Sequence, residues 1–271
     1  MKARIKFQKF GAMKFVGHLD VMRYFQKMFR RANINNEYTK GFSPHQIMSF
    51  AAPLGVGLTS DAEYVDISLL SSDSPQEMID RINEAMTEGF RVIGFRPLLE
   101  REENKKNVTA MSLVSSADYL VSLKDGYRIG NTISCQTDFT TAFQDFLAQK
   151  EIITDKKTKT SEKAVDIRPM ITLAAFSREE YEEKRIRLLA ELLPESVRTE
   201  STAEHYENGI SAYLQLDTGS AVNLKPETVL EAFYEFLGVP YDKFAWQVHR
   251  LEVYTRLAEN GKLAALDQVD R

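Results

Sequence analysis

The chain has 271 residues, of which 43% are hydrophobic and 27% are charged, and its formal net charge at pH 7 is −4. This length suits about two domains of ordinary globular composition. No apolar run approaches the roughly 18–20 residues of a membrane-spanning helix, the start of the chain lacks the apolar core of a signal peptide, and a single cysteine cannot form an internal disulfide. We therefore expect a cytoplasmic protein with no membrane partner.

Positive charge is concentrated at the start of the chain. Residues 1–60 contain ten lysines and arginines against Asp20 and Glu37, a net charge of +8, so the remainder carries −12. Such segregation indicates a local anionic partner. The alternative is that these side chains only solvate one sheet face and one helix.

The first hundred residues predict a β-α-β-β-α-β order. Apolar and polar residues alternate over 2–10, which predicts a half-buried strand with an exposed face of Lys2, Arg4 and Lys6. Helical spacing follows over 18–33, then a short strand and a long loop over 34–60, and a second alternating strand over 63–70. Ser74 and Glu77 form a capping box for a helix that Gly89 closes, and 90–95 is a strand. The predicted core is Ile5, Phe7, Phe25, Phe29, Val65, Ile67, Ile82 and Val92.

The second half repeats this α/β pattern with an inserted helix. A charged run at 100–107 is typical of a linker. We predict strands at 118–124, 164–176, 210–217 and 246–257, helices at 138–150, 178–193 and 225–237, and a hairpin with a lysine-rich tip at 155–163. The segment Asp166-Ile167-Arg168-Pro169 lies within the second of these strands, and Ser177 with Glu180 forms a second capping box.

The expected fold class is therefore α+β, with two ferredoxin-like (β-α-β-β-α-β) or closely related domains in tandem. The predicted domains are a basic N-terminal domain at 1–97, a linker at 98–116 and a second α+β domain at 117–257. Residues 258–271 are expected to form a C-terminal tail.

Cofactor motifs are absent from the sequence. There is no phosphate-binding P-loop, no Gly-x-Gly-x-x-Gly after a strand, and too few cysteines for an iron–sulfur cluster held by three or four thiolates. His18, Asp20 and His45 could assemble a metal site, but no spacing demands one. We expect no cofactor and no metal in this chain.

The candidate site lies on two segments, around His18 and around His45. His18 stands at a predicted helix N-terminus, where free N–H groups favour anions, and Arg23 follows about one turn later. The Gly-Ser-Pro loop before His45 could present Phe42, and we expect the two histidines within about 10–12 Å of each other (compare the spacing of paired catalytic carboxylates). The predicted binding residues are Lys14, His18, Asp20, Arg23, Arg30, Gly41, Phe42, Ser43, His45 and Arg168.

Simpler roles for these residues remain open. His18 could cap its helix beside Asp20, Phe42 could belong to the core, and His45 could be an ordinary loop histidine. Arg168 could pair with Asp166 in a turn that ends the strand.

The same region resembles the radical SAM-linked proteins of bacteria, which occur beside or fused to a radical SAM enzyme that carries a cobalamin-binding domain. The resemblance covers most of residues 2–97. It rests on Phe7, Lys9, Gly11, Lys14-Phe15, His18-Leu19-Asp20, Arg23, Arg30-Arg31-Ala32, Gly41-Phe42-Ser43-Pro44-His45, Ser49, Pro53-Leu54, Gly55, Gly57, Glu63 and Asp66. Later landmarks are Asp166-Ile167-Arg168-Pro169, Asn223-Leu224-Lys225-Pro226 and His249-Arg250.

The resemblance implies a radical SAM enzyme as partner and a gene neighbourhood of RNA-processing and ribosomal-protein genes, which favours RNA as the anionic partner. We expect an accessory RNA-binding subunit without catalytic activity of its own. Two alternatives stay open, a metal-independent enzyme that cleaves RNA phosphodiesters with His18 and His45, and a purely structural adaptor for the radical SAM protein.

Overall fold

The computed structural model describes residues 1–99, 108–157, 162–191, 200–219 and 222–269. They form a mixed α+β structure with a large, mostly antiparallel sheet and six α-helices. The strands are β1 (Lys2–Lys9), β2 (Met48–Ala51), β3 (Thr59–Ser68), β4 (Phe90–Leu98), β5 (Ser116–Leu123), β6 (Ile153–Lys157), β7 (Glu162–Asp166), β8 (Ile171–Ala175), β9 (Ser211–Asp217), β10 (Trp246–Arg256) and β11 (Leu263–Ala265). The helices are α1 (His18–Arg31), α2 (Pro75–Glu84), α3 (Ala110–Leu113), α4 (Gln136–Leu147), α5 (Arg178–Ile186) and α6 (Pro226–Phe236).

One sheet runs through both halves of the chain, in the order β4-β1-β3-β10-β5-β9-β8. Its strand pairs are antiparallel except β3 with β10, which are parallel and paired at His249 with Thr59 and at Arg250 with Ser60. The two domains expected at 1–97 and 117–257 thus contribute strands to the same sheet. Because β2 covers β3 only from Tyr64 to Ile67, the start of β3 keeps an open edge that β10 occupies. We call this β3–β10 contact the junction, between an N-terminal half (residues 1–99) and a C-terminal half (residues 108–269).

Helix α2 begins as predicted and ends earlier. The Ser74 side chain accepts a hydrogen bond from the Glu77 amide, and the Glu77 carboxylate accepts one from the Ser74 amide, so the capping box is confirmed. The helix stops at Glu84 rather than at Gly89. Gly89, at φ +94°, turns the chain into β4, and a Cβ there would lie 2.5 Å from Met13 Cγ.

The predicted core of the N-terminal half is confirmed. Its eight residues are all buried in a single cluster between the sheet and helices α1 and α2. Phe7 and Phe25 lie at its centre, with ring centroids 4.7 Å apart. A second cluster fills the C-terminal half, where Phe139 packs against Phe233 and Trp246, and Phe143 packs against Phe233.

The C-terminal half differs from the predicted elements in three places. The strand expected at 164–176 is two strands, because Pro169 lacks the N–H that a continuous ladder needs and a 3₁₀ turn forms at Arg168–Met170. Helix α5 ends at Ile186. The expected tail contains β11, which pairs with β10, and a 3₁₀ turn in which Leu266 is buried. The charged run at 100–107, residues 158–161 of the lysine-rich tip, and residues 192–193 of the expected helix lie outside the described residues. No helix in the described ranges combines the length and apolarity that a bilayer crossing requires.

The prediction that Lys2, Arg4 and Lys6 form an exposed basic face on β1 is wrong. Lys2 is exposed, but Arg4 and Lys6 are buried beneath the C-terminal segment. Arg4 donates two hydrogen bonds to Asp66, at 2.7 and 3.1 Å, and one to the Leu266 carbonyl at 2.6 Å. The negatively charged groups that bind the basic side chains of β1 therefore belong to the same chain.

Lys6 is held by two carboxylates of the C-terminal half. Its Nζ lies 2.6 Å from Glu252 and 3.3 Å from Asp267. Burial alone would lower the pKa of Lys6, but the two carboxylates outweigh burial and raise that pKa above its usual value.

We expect Lys6→Met to lower the free energy of unfolding by about 3–5 kcal/mol, because Glu252 and Asp267 would remain together without their shared cation. Denaturant unfolding at pH 7 measures this effect. Lys2→Met, on the exposed start of the same strand, is the matched control and should change stability by less than about 0.5 kcal/mol. Equal effects of the two substitutions would contradict the assignment of Lys6 as a buried bridge.

Candidate functional site

The structure does not bring His18 and His45 together. His18 is the first residue of α1, and its ring lies 5.3 Å from the ring of Phe50 near the end of β2. His45 lies before the start of β2, in a hairpin where its Nδ1 is 3.1 Å from Thr39 Oγ1. Phe50 lies five positions after His45, which corresponds to about 16 Å of extended chain at ~3.3 Å per residue.

The other predicted residues are also dispersed. Gly41, Phe42 and Ser43 form the exposed tip of the 39–45 hairpin, so Phe42 does not belong to the core. Asp20 and Arg23 form an exposed ion pair at 3.0 Å, a type of interaction that contributes little to stability. Among these residues, only His18 faces a cavity.

Arg168 has a structural role far from His18. Its side-chain Nε donates to the carbonyl of Leu147 at the end of α4, at 2.7 Å. The Asp166 carboxylate accepts from the backbone amide of Arg168 at 3.0 Å. The expected turn is thus present, but this bond to Asp166 comes from the Arg168 backbone.

His18 lines a cleft of about 530 Å³ that both halves form at the junction. One wall is the loop after β2, which includes Pro53, Leu54 and Gly55. Residues of the C-terminal half complete the cleft: Met111, Val114, Tyr119, Thr218, Gly219, Asn223, Lys225, Pro226, Glu227 and Arg250. The cleft therefore gathers residues that lie more than two hundred positions apart in sequence.

Arg250 lines the cleft and fixes its wall. Only 2% of Arg250 is exposed, its Nη1 donates to the Ala52 carbonyl at 2.7 Å, and its Nη2 binds Glu63. Ala52 has φ +42°, a left-handed conformation that costs a residue with a Cβ roughly 1–2 kcal/mol. The bond to Arg250 helps to hold this conformation. The Arg250 Nε is buried and has no hydrogen-bond partner among the described residues.

Two buried cations share one carboxylate beside the cleft. Lys9 is 3% exposed, its Nζ donates to the Val16 carbonyl at 3.0 Å, and its charge acts on Glu63 together with that of Arg250. Burial raises the pKa of Glu63, and the two cations offset part of that rise. Burial lowers the pKa of Lys9, Glu63 opposes this, and Arg250 adds to it. Positive charge therefore exceeds negative charge in this group.

Two helices begin at the cleft. Helix α1 starts at His18 after Gly17, and α6 starts at Pro226 after Lys225, in both cases without a hydrogen bond from a capping side chain. The first N–H groups of a helix lack intrahelical partners and carry the positive end of its dipole. Burial lowers the pKa of His18, which disfavours a charged imidazole there.

His249 anchors the junction on the other side of β10. Its Nδ1 lies 2.8 Å from Thr59 Oγ1, and its Nε2 lies 2.9 Å from Asp61. Burial alone would raise the pKa of Asp61, but the bonds from His249, the Ser201 hydroxyl and the Thr202 amide outweigh it and lower that pKa to about 2.

Two exposed aromatic rings each lie beside a lysine on the surface. Phe15 is 67% exposed with Lys14 Nζ 5.5 Å from its ring centroid, and Phe244 is 62% exposed with Lys243 Nζ at 4.9 Å. Lys124 Nζ donates to the Phe244 carbonyl at 3.0 Å. We call Lys14, Phe15, Lys124, Lys243 and Phe244 the aromatic–lysine surface.

The two ends of this surface are linked through Glu204, which binds Lys14 at 2.6 Å and whose charge also acts on Lys124. Its connection to the cleft runs through the loop after β2. The Gly57 amide donates to the Lys14 carbonyl at 2.7 Å, and Gly57 follows the exposed Val56 in that loop.

Sequence reasoning missed the C-terminal contribution to the cleft. In the sequence, Asn223-Leu224-Lys225-Pro226 and His249-Arg250 stand out only as family landmarks. A usable signal is present in the predicted strand 246–257, where His249, Arg250 and Glu252 interrupt an apolar pattern. Charged residues inside a buried strand require partners, and these partners lie on β1 and β3.

The sequence of residues 2–226 matches the profile of a bacterial family described as "Uncharacterized protein conserved in bacteria (DUF2344)". The match covers more than half of the chain, and the protein belongs to this family. No curated protein matches the sequence.

We expect Asp61→Asn to lower the free energy of unfolding by about 2 kcal/mol at pH 7, because folding lowers the pKa of Asp61 to about 2. The folded-state pKa is depressed, so this contribution is present above about pH 4 and is lost as the pH falls toward 2. Urea unfolding at a series of pH values measures the difference, which should shrink below pH 4. Asp20→Asn, in an exposed ion pair, is the control, and a pH-independent effect at Asp61 would contradict this account.

Proposed function

We propose that this member of the bacterial family binds single-stranded RNA across its aromatic–lysine surface, as an accessory subunit of a radical SAM enzyme that modifies the RNA. The observation that carries the proposal is the pairing of each exposed phenylalanine with lysine, Phe15 with Lys14 and Phe244 with Lys243.

Exposed aromatic rings flanked by lysines suit single-stranded nucleic acid. A base stacks on the ring whatever its identity, and an exposed ammonium group such as that of Lys243 neutralises a phosphate. The charge of Lys14 is already paired with Glu204, so Lys14 mainly contacts the Phe15 ring. Phe15 comes from the N-terminal half and Phe244 from the C-terminal half, so a bound strand would cross both. The aromatic–lysine surface is therefore complete only when both halves of the protein are folded together.

A basic stripe on α1 extends from this surface. Leu19, Arg23, Lys27 and Arg30 are exposed at helical spacing on one face. From Leu19 to Arg30 the stripe is about 16 Å long at ~1.5 Å per residue. It supplies accessible positive charge in place of the buried face of β1, and it includes the predicted residues Arg23 and Arg30.

The enzyme partner is proposed from the resemblance to radical SAM-linked proteins. In this proposal the partner carries the cobalamin-binding domain and performs the chemistry, while the present chain holds the RNA. The alternative in which His18 and His45 together cleave RNA has no geometric support, because they lie at opposite ends of β2. A purely structural adaptor would bind the same enzyme without binding RNA.

We also infer that each half is a ferredoxin-like unit. The N-terminal half has the sheet order β4-β1-β3-β2, and the C-terminal half has the order β10-β5-β9-β8. In both, the third strand lies between the first and second, as in a split β-α-β arrangement. In this interpretation β6, β7 and α5 are insertions, and the two units share one sheet.

We expect Phe15→Ser and Phe244→Ser each to weaken binding of a single-stranded RNA by roughly 5- to 150-fold, the equivalent of about 1–3 kcal/mol per stacked base. Fluorescence anisotropy with a labelled oligonucleotide measures this change. Phe42→Ser is the matched control, because Phe42 is fully exposed at the tip of the 39–45 hairpin. An equal effect in the control would show that the aromatic–lysine surface is not the RNA site.

Charge reversal on the α1 stripe tests the electrostatic part. Arg23→Glu with Arg30→Glu should weaken binding of all RNA sequences similarly and reduce the slope of log affinity against log salt by about 1 for each phosphate that is no longer neutralised. With the radical SAM partner supplied, the phenylalanine variants should lower RNA modification while the protein complex persists. An RNA affinity that does not depend on salt concentration, or unchanged RNA modification in the phenylalanine variants, would favour the alternative of a structural adaptor.

A further inference from the structure

We propose that the cleft at the junction binds the phosphate monoester of a ribonucleotide, either a free mononucleotide or the terminal nucleotide of an RNA. This is a second binding site, apart from the aromatic–lysine surface, and it goes beyond the proposed RNA-binding function.

Buried charge is the first argument. Lys9 and Arg250 are both more than nine-tenths buried, and Glu63 is the carboxylate they share. An isolated buried charge is costly, so a surplus cation favours an anion at the adjoining opening. Lys225 and Glu227 also line the cleft, and their opposite charges cancel. The buried surplus of positive charge from Lys9 and Arg250 therefore remains.

Arg250 provides an unused donor. Ala52 and Glu63 engage two of its guanidinium nitrogens, and Tyr119 also shares a side-chain hydrogen bond with Arg250. Its Nε is buried and has no partner among the described residues. Leaving a buried charged donor without a hydrogen bond is unfavourable. A phosphate oxygen in the cleft would accept from it, and arginine is well suited to phosphate.

The helix termini add to this preference. The start of α1 at His18 and the start of α6 at Pro226 both line the cleft, and neither has a capping side chain. Pro226 has no N–H, so the donors that suit a phosphate are the other free N–H groups of the two first turns, and both dipoles favour negative charge. Two helix N-termini beside one buried arginine favour an ion with several acceptor oxygens.

The remaining lining fits a nucleoside. Pro53, Leu58, Met111 and Val114 supply apolar contacts on the walls, while Asn223 and Tyr119 offer polar groups. At about 530 Å³ the cleft lies within the usual 300–1,000 Å³ of small-molecule sites. A phosphate would occupy the charged end, and the base and ribose would contact the apolar walls.

Isothermal titration of the full chain with AMP, adenosine and inorganic phosphate tests the site. We expect AMP to bind and adenosine to bind at least tenfold more weakly. Gly55→Phe should abolish AMP binding by filling the cleft, since no atom lies closer than 4.0 Å to a Cβ built at Gly55. Lys225→Glu should weaken binding at least tenfold, and Lys150→Glu, an exposed lysine after α4, should not change it.

Oligonucleotides with and without a 5′- or 3′-terminal phosphate distinguish the two sources. Tighter binding of a phosphorylated RNA, abolished in Gly55→Phe, identifies the terminal nucleotide as the ligand. AMP binding without this effect identifies a free nucleotide.

The Phe15→Ser/Phe244→Ser variant should retain AMP binding, so failure of the aromatic–lysine surface to bind RNA would leave this proposal intact. Absence of binding to AMP and to phosphorylated RNA at millimolar concentration, or binding that neither cleft variant weakens, would overturn it.

Discussion

The fold depends on charged side chains that meet inside the molecule at the junction. Lys6 of β1 binds Glu252 of β10, and Arg250 of β10 binds Glu63 of β3. The backbone contributes only two parallel residue pairs between β3 and β10, so side chains carry most of this interaction. Lys6 and Arg250 each have a carboxylate partner on the other half, so separating the halves would leave these buried charges without partners.

This arrangement explains the uneven distribution of charge along the sequence. The positive surplus of the first sixty residues is partly matched by Glu204, Glu252 and Asp267 of the same chain. A segregated charge pattern thus has two possible meanings, an external anion or a distant segment of the same protein. In this protein the burial of each side chain distinguishes these two cases. Arg4, Lys6 and Lys9 are buried against the protein. Arg23, Lys27 and Arg30 are exposed to solvent.

The junction also produces both surfaces to which we assign functions. The Ala52 carbonyl is held by Arg250, and the loop that follows forms the cleft wall and contacts the segment that presents Phe15. The aromatic–lysine surface and the cleft therefore depend on the same interactions between the halves.

Local patterns in the sequence predicted most of the elements and the first core. The alternation in β1, the helical stripe through Phe25 and Phe29, and the Ser74–Glu77 capping box each depend on residues that are neighbours in the chain. Such short-range signals identified where the helices and strands lie, and they correctly placed His18 at a helix N-terminus.

Only the tertiary structure decided which charges are buried and which residues share a site. Alternation shows that Arg4 and Lys6 lie on the face opposite Ile5, but it cannot show that a segment more than two hundred and fifty residues later covers that face. His18 and His45 are close in sequence yet separated by the length of β2, whereas His18 and Arg250 are distant in sequence and line one cleft. The physical reason is that β-sheet pairing joins strands irrespective of their separation along the chain, so the partners of a buried charge are set by strand order and not by spacing.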